Sequence, residues 1–162
     1  MFTIETRDVP AQTVLTEQRV VLAQDLPAFV DDATPRLMAL AESVGGVTGA
    51  AFFIYHDEIT NDHAGPMEIC IPIDPARAGE TDAQTRIEPA HREAYTRIPK
   101  RLVEFPDILS AYQAVEGWMA ETGARMTDSP REVYFADIMS AGPDDLVCDI
   151  AFPIAVEGGG EE

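Results

Sequence analysis

A strand pattern that occurs in both halves of the chain restricts the folds that the chain can adopt. The segment Pro66–Ile73 reads Pro-Met-Glu-Ile-Cys-Ile-Pro-Ile, and Val147–Ile154 reads Val-Cys-Asp-Ile-Ala-Phe-Pro-Ile. Both place one acid inside an apolar run and end in Pro-Ile, with the prolines 81 positions apart (153 − 72). A second match, Phe53–Asp57 with Val133–Asp137, has a spacing of 80 (137 − 57). Ordered matches at nearly one offset are typical of an internal duplication.

Apolar patterning predicts the same order of elements in both halves: strand, helix, strand, strand. The predicted strands lie at 12–22, 49–55, 66–73, 90–98, 130–137 and 146–154. Helical spacing predicts a first helix between Asp25 and Gly45 and a second between Pro106 and Gly123. A mid-helix proline removes a hydrogen bond, so Pro35 predicts a kink or a restart of the first helix.

The segment 75–89 is polar and contains Pro75, Gly79 and Pro89, which is typical of a linker. We therefore expect a first module at 1–74, a second at 90–156, and a disordered tail at 157–162 rich in Gly and Glu. A short extra strand is expected at 2–5. Two matching modules would form one pseudo-twofold domain with a cleft where they meet.

The charge balance excludes some classes of function. The chain has 29 acidic and 11 basic residues, a formal charge of −18. Nucleic-acid binding and docking on anionic membranes both need clustered Lys and Arg, so neither is expected. Cys70 and Cys148 lie in apolar runs and are expected to be buried, reduced thiols of a cytosolic protein. We predict no cofactor and no metal, because the His-containing turn at 56–63 fits no standard zinc spacing.

The strand at 130–137 carries the candidate site. Side chains alternate between faces in a strand, so Val133 and Phe135 point one way and Glu132 and Tyr134 the other. The first pair suits a core under a helix. The second pair sets a carboxylate beside an aromatic ring, which suits a cleft for a small organic ligand. Glu132 would alternatively be a surface acid, or one paired with an arginine.

The chain resembles the GyrI-like small-molecule-binding family, which is the AraC-type effector-binding or SOUL-related domain built of tandem SHS2 modules. The resemblance covers nearly the whole chain. It rests on these blocks: Tyr55-His56-Asp57, the acid and Ile-Pro-Ile of Glu68–Ile73, a helix with Trp118 and Gly123, Pro130–Tyr134, and Asp149–Ile154.

The resemblance implies an α+β fold, in which two β-α-β-β modules form a curved antiparallel sheet with two main helices. It also implies a ligand between the modules, with Glu132 as the family's buried glutamate and Tyr134 as its following tyrosine. Family members are C-terminal sensors of transcription regulators, stand-alone binding proteins, or hydrolases of cyclopropane-bearing natural products. This chain is expected to be a stand-alone binder of hydrophobic small molecules, including cationic ones.

The predicted ligand-binding residues are Glu132, Tyr134, Tyr95, Trp118, Phe52, Ile54, Glu68, Asp149 and Met119. Trp118 alternatively packs in the core, and Glu68 and Asp149 alternatively occupy solvated strand positions. If the protein is instead a hydrolase, Glu132 would act as the general base and Tyr134 would orient or protonate the substrate. A third interpretation is an acidic module that binds a basic protein such as a topoisomerase. The partner could also be a second copy of the chain, in a homodimer.

Overall fold

A computed structural model describes residues 2–156. The part of the chain that it describes contains nine strands: β1 (Glu5–Val9), β2 (Gln12–Val21), β3 (Ala51–Tyr55), β4 (Gly65–Pro72), β5 (Thr85–Glu88), β6 (His91–Pro99), β7 (Ala124–Met126), β8 (Arg131–Tyr134) and β9 (Leu146–Val156). The two main helices are α1 (Leu26–Ser43) and α2 (Ile108–Thr122). Short 3-10 helices lie at Ala23–Asp25, Pro75–Glu80 and Lys100–Leu102. The predicted α+β class is confirmed. The predicted tail at 157–162 lies outside the described residues.

The chain divides into two compact units. One is the continuous segment Pro10–Ala90, which we call the contiguous unit. The other, the composite unit, combines residues 2–9 with residues 91–156. This division differs from the predicted modules at 1–74 and 90–156, because the first strand of the chain belongs to the unit formed by its second half.

The contiguous unit is an antiparallel sheet in the order β3-β4-β2-β5, with α1 against one face. Apolar residues of α1 at helical spacing are buried against the strands: Phe29, Ala33, Leu37 and Ala41. They meet Leu15 on β2 and the alternate residues Met67, Ile69 and Ile71 on β4. The helix continues through Pro35 rather than restarting there.

The composite unit repeats this arrangement. Its antiparallel sheet has the order β1-β6-β9-β8, and β7 pairs with the last residues of β9. Buried residues of α2 at helical spacing pack on one face: Ile108, Ala111, Val115 and Met119. The helix ends at Gly123, whose φ of +78° is the left-handed conformation that glycine adopts without strain.

The two modules of the predicted duplication are confirmed at the level of elements. The first runs β2-α1-β3-β4 and the second β6-α2-β8-β9, and their strands pair in the equivalent orders β3-β4-β2 and β8-β9-β6. Glu68 of β4 stands opposite Ile54, and Asp149 of β9 stands opposite Val133. On the other side Glu68 stands opposite Gln18 and Asp149 opposite Arg97, and both pairs of neighbours are 79 apart (133 − 54 and 97 − 18), so the two acids occupy equivalent positions. The predicted spacing of 80 between Phe53–Asp57 and Val133–Asp137 is wrong by one residue, because this register aligns Ile54 with Val133 rather than with Tyr134.

Two predictions about connecting segments are wrong. The expected linker at 75–89 contains a 3-10 helix and β5, which pairs with β2 from Gln12 to Leu15. The first strand lies at Glu5–Val9 rather than 2–5, and it pairs with β6. Both strands are short and polar, so their periodicity gave little signal. No helix within 2–156 is long and apolar enough to cross a membrane.

Candidate functional site

The register of the composite unit decides which side chains of β8 face α2. Ile150 on β9 stands between Glu132 on β8 and Thr96 on β6, so these three share a face. Ile150 belongs to the apolar cluster under α2, and Tyr134 packs against the same cluster. Glu132 and Tyr134 therefore point toward the helix.

The expected orientation of Val133 and Phe135 is consequently wrong. Val133 stands opposite Asp149, on the face away from α2, and Phe135 is 38% exposed. The alternation along the strand was correct. However, a period of two cannot say which of the two faces a helix covers, because that depends on pairing with β9.

Glu132 is the centre of the candidate site. Its side chain is buried, with a residue exposure of 5%. Tyr112 on α2 donates a hydrogen bond to Oε2 at 2.6 Å, and Tyr134 donates one to Oε1 at 2.7 Å. Lengths of this kind are typical of hydroxyl groups that donate to an ionised carboxylate. Each carboxylate oxygen of Glu132 thus accepts a hydrogen bond from a phenolic hydroxyl, and the two bonds fix the orientation of the carboxylate.

Apolar and aromatic groups surround this carboxylate. The ring of Tyr112 packs edge-on against Phe152, with 5.9 Å between centroids and 74° between planes. Cys148, the register partner of Tyr134, is fully buried nearby. Burial raises the pKa of the Cys148 thiol, and the negative charge of Glu132 raises it further. Cys148 is therefore a protonated wall of the site rather than a nucleophile.

Trp118 and Met119 lie on the same helix as Tyr112. Met119 is buried in the apolar cluster under α2, and Trp118 is half-buried against that cluster. This places both in the core of the composite unit, the alternative that the sequence left open for Trp118. Their role in ligand binding stays a prediction.

Tyr95 and Asp149 lie on the opposite face of the sheet from Glu132. Asp149 is 1% exposed and binds Arg97 at 2.7 and 3.0 Å and Arg7 at 2.9 Å. The Tyr95 hydroxyl donates to Glu5 at 3.0 Å, and the Arg7 guanidinium lies 3.8 Å above the Tyr95 ring. Odd-numbered residues of β6 and β9 share this face, so Tyr95 and Asp149 do not join Glu132 in one wall.

Phe52, Ile54 and Glu68 are buried in the contiguous unit, on the face of β3 and β4 away from α1. Glu68 accepts hydrogen bonds from Arg86 at 2.8 Å and from the Thr16 hydroxyl, and its Oε1 lies 2.7 Å from His56 Nε2. Burial alone would raise the pKa of Glu68, but these partners outweigh it and lower the pKa to about 2. Glu68 and Asp149 are thus buried ion-paired acids, and the solvated alternative is wrong for both.

Tyr112 is not among the ligand-binding residues predicted from the sequence. Tyr112 belongs to the same apolar stripe as Val115 and Met119, which indicates only that its ring is covered. Its hydroxyl meets a carboxylate 20 residues later in the chain. The only available signal was a hydroxyl on an otherwise apolar stripe, since a buried tyrosine hydroxyl needs a partner.

The arrangement can do two things chemically. A buried carboxylate among rings attracts a cation, because the low local dielectric strengthens the charge interaction and the rings add cation–π contact. The same carboxylate can accept a proton from water while a phenol donates to a substrate. Within 2–156, no group of three or more His, Cys, Asp or Glu is placed to hold a metal ion.

Comparison with known proteins places the fold. No family model matches the chain, and no curated protein matches it. The C-terminal domain of EcmrR superposes with a TM-score of 0.76 at 18% identity, covering 96% of this chain and 99% of that one. In the EcmrR–DNA complex the chain spans 58% of the EcmrR chain, with a TM-score of 0.77, 19% identity and 96% of this chain covered.

Two further structures have the same fold. A hydrolase from Listeria innocua superposes with a TM-score of 0.67 at 12% identity, covering 94% of this chain and 91% of that one. SAV2435, in a structure bound to tetraphenylphosphonium, has a TM-score of 0.63 at 10% identity and 94% coverage of both chains. The predicted GyrI-like fold is confirmed by these likenesses. The expectation of a ligand between the modules stays a prediction.

Proposed function

We propose that this chain binds a hydrophobic organic cation, with Glu132 as the anionic anchor. The observation that carries the proposal is a carboxylate that is only 5% exposed and that accepts a hydrogen bond from each of two tyrosine hydroxyls. The two hydroxyls orient the carboxylate, and the tyrosine rings lie beside it.

The cost of desolvation favours a large organic cation over a compact one. Burial of a compact ammonium ion costs much free energy, because the ion is strongly hydrated in water. A large organic cation spreads its charge and is less strongly hydrated, and the apolar surface that it buries contributes favourably to binding. Tyr112 and Tyr134 present ring surface beside the carboxylate and fix its direction, which limits the ordering cost of binding. SAV2435, which shares this fold, was bound to tetraphenylphosphonium, a cation of this description.

The test compares two ions of the same shape and opposite charge, tetraphenylphosphonium and tetraphenylborate, by isothermal titration calorimetry. We expect the phosphonium to bind the intact protein and the borate to bind at least about tenfold more weakly, which corresponds to about 1.4 kcal/mol. Glu132→Gln should weaken phosphonium binding by a similar factor. Neutral triphenylphosphine oxide should bind both proteins alike.

A matched control separates the anchor from the overall charge. Glu121→Gln removes one exposed carboxylate from α2 and changes the net charge by the same amount. It should leave phosphonium binding unchanged. Equal loss in Glu121→Gln and Glu132→Gln, or equal affinity for the two ions, would contradict the proposal.

A further inference from the structure

Two six-residue segments, at 6–11 and at 85–90, are identical at four of their six positions. The first copy reads Thr-Arg-Asp-Val-Pro-Ala and the second Thr-Arg-Ile-Glu-Pro-Ala, 79 positions later (85 − 6). The strand pairing has the same offset. Arg7 stands opposite Glu93 on β6 and Arg86 opposite Val14 on β2, and these partners are also 79 apart (93 − 14). We call the two copies the docking segments.

Each docking segment directly precedes one module in the sequence but pairs with a strand of the other module. The segment 6–11 precedes the first module, yet β1 pairs with β6 in the composite unit. The segment 85–90 precedes the second module, yet β5 pairs with β2 in the contiguous unit. The exchange is reciprocal: the strand that precedes the first module pairs with the second module, and the strand that precedes the second module pairs with the first.

The arginine of each segment reaches a buried acid two strands away. Arg7 contacts Glu93 at 2.8 Å and Asp149 on β9 at 2.9 Å. Arg86 contacts Glu68 on β4 at 2.8 Å and Glu88 at 2.7 Å.

The receiving acids match across the repeat. Asp149 and Glu68 occupy equivalent positions, and both are nearly inaccessible to water. Removal of either arginine would take a cationic partner from a buried carboxylate, which is costly, so each arginine stabilises the pairing of its strand with the host sheet.

We infer that the outer edges of β2 and β6 are equivalent docking sites for a strand of sequence Thr-Arg-x-x-Pro-Ala. The partner that each site fits is the leading strand of a second copy of the module. Exchange of an identical element between copies is a low-cost route to dimers. This chain has the organisation of such a dimer joined end to end.

The test cuts the folded full chain at two places. A protease site inserted at Gly79, where the space around an added side chain is open, gives fragments that hold each other by both exchanged strands. A site inserted between Pro89 and Ala90 leaves β5 attached to its host, so only β1 is exchanged between fragments. We expect the pair cut at Gly79 to dissociate at least about tenfold more slowly in size-exclusion and dilution experiments.

Arginine variants test the two anchors against each other. Arg86→Ala should speed dissociation of the pair cut at Gly79 and leave the pair cut at Pro89 unchanged, whereas Arg7→Ala should speed both. Equal dissociation of the two pairs, or an equal effect of Arg86→Ala on both, would overturn the inference.

A second measurement needs no insertion. In the intact chain, amide hydrogen exchange should become faster at 85–88 in Arg86→Ala and at 5–9 in Arg7→Ala, each without change in the other strand. Unchanged exchange in both segments would equally overturn the inference, and neither result depends on whether Glu132 binds a cation.

Discussion

Acids buried within the strands have side-chain partners that the sequence does not reveal. Glu68 and Asp149 bind arginines, and Glu132 accepts hydrogen bonds from the hydroxyls of Tyr112 and Tyr134. Their common feature in the sequence is an acid within a strand. Each acid has a hydrogen-bond partner from another part of the chain, and those of Glu68 and Asp149 include arginines on strands that are distant in sequence.

At this scale the structure predicts a pH dependence of folding. The folded-state pKa of Glu68 is about 2, against an ordinary value of 4.5, with Arg86, Thr16 and His56 as the stabilising partners. Its stabilisation is therefore present above about pH 5 and is lost as the pH falls towards about 2. The difference in pKa corresponds to roughly 3 kcal/mol.

Urea unfolding at a series of pH values checks this. The fall in the free energy of unfolding between about pH 5 and about pH 2 should be smaller in Glu68→Gln than in the parent by roughly that amount. The exposed Glu121→Gln should keep the parent slope. Parallel curves for the parent and Glu68→Gln would contradict the assignment.

At the scale of elements, the helices and the long strands followed from local pattern. The stripe on α2 and its glycine stop were both visible in the sequence, and the structure places the helix end at Gly123 as predicted. The short strand β1 was predicted at 2–5 rather than at Glu5–Val9 and β5 was not predicted, because four or five polar residues carry no usable period. Their pairing with β6 and β2 is a tertiary property.

Two glycines of α2 make a matched pair of predictions. An added Cβ would meet nothing within 4 Å at Gly117 or at Gly123, so packing does not enter. Gly117 is inside the helix, and Gly117→Ala should stabilise the protein by about 0.5–1 kcal/mol. Gly123 has a φ of +78°, and Gly123→Ala should destabilise it by about 1–2 kcal/mol.

Thermal and urea unfolding of the two variants would measure both effects. Opposite signs are the expected outcome, since only the backbone conformation differs. A stabilising Gly123→Ala would show that the helix ends differently from the geometry described.

At the scale of the whole molecule, the formal charge of −18 sets the response to salt. Net charge far from zero destabilises the compact state by self-repulsion, and salt screens that repulsion. Raising NaCl from about 10 mM to about 150 mM should therefore raise the melting temperature, by roughly 2–4 °C for each kcal/mol of relieved repulsion.

KCl at equal ionic strength should give the same increase, which would identify screening rather than binding of one ion. A melting temperature that falls with both salts would mean that the ion pairs of the strands outweigh the net repulsion.

The duplication, the α+β class, the helices and the alternation that pairs Glu132 with Tyr134 could all be predicted from local sequence pattern. These properties depend on the chemical periodicity of neighbouring residues, which a single chain displays directly. Three other features become visible only in the folded chain: the face of β8 that meets α2, the hydrogen bond from Tyr112 to Glu132, and the exchange of the leading strands between modules. Those outcomes depend on register and on contacts between residues far apart in the chain, and no local pattern carries that information.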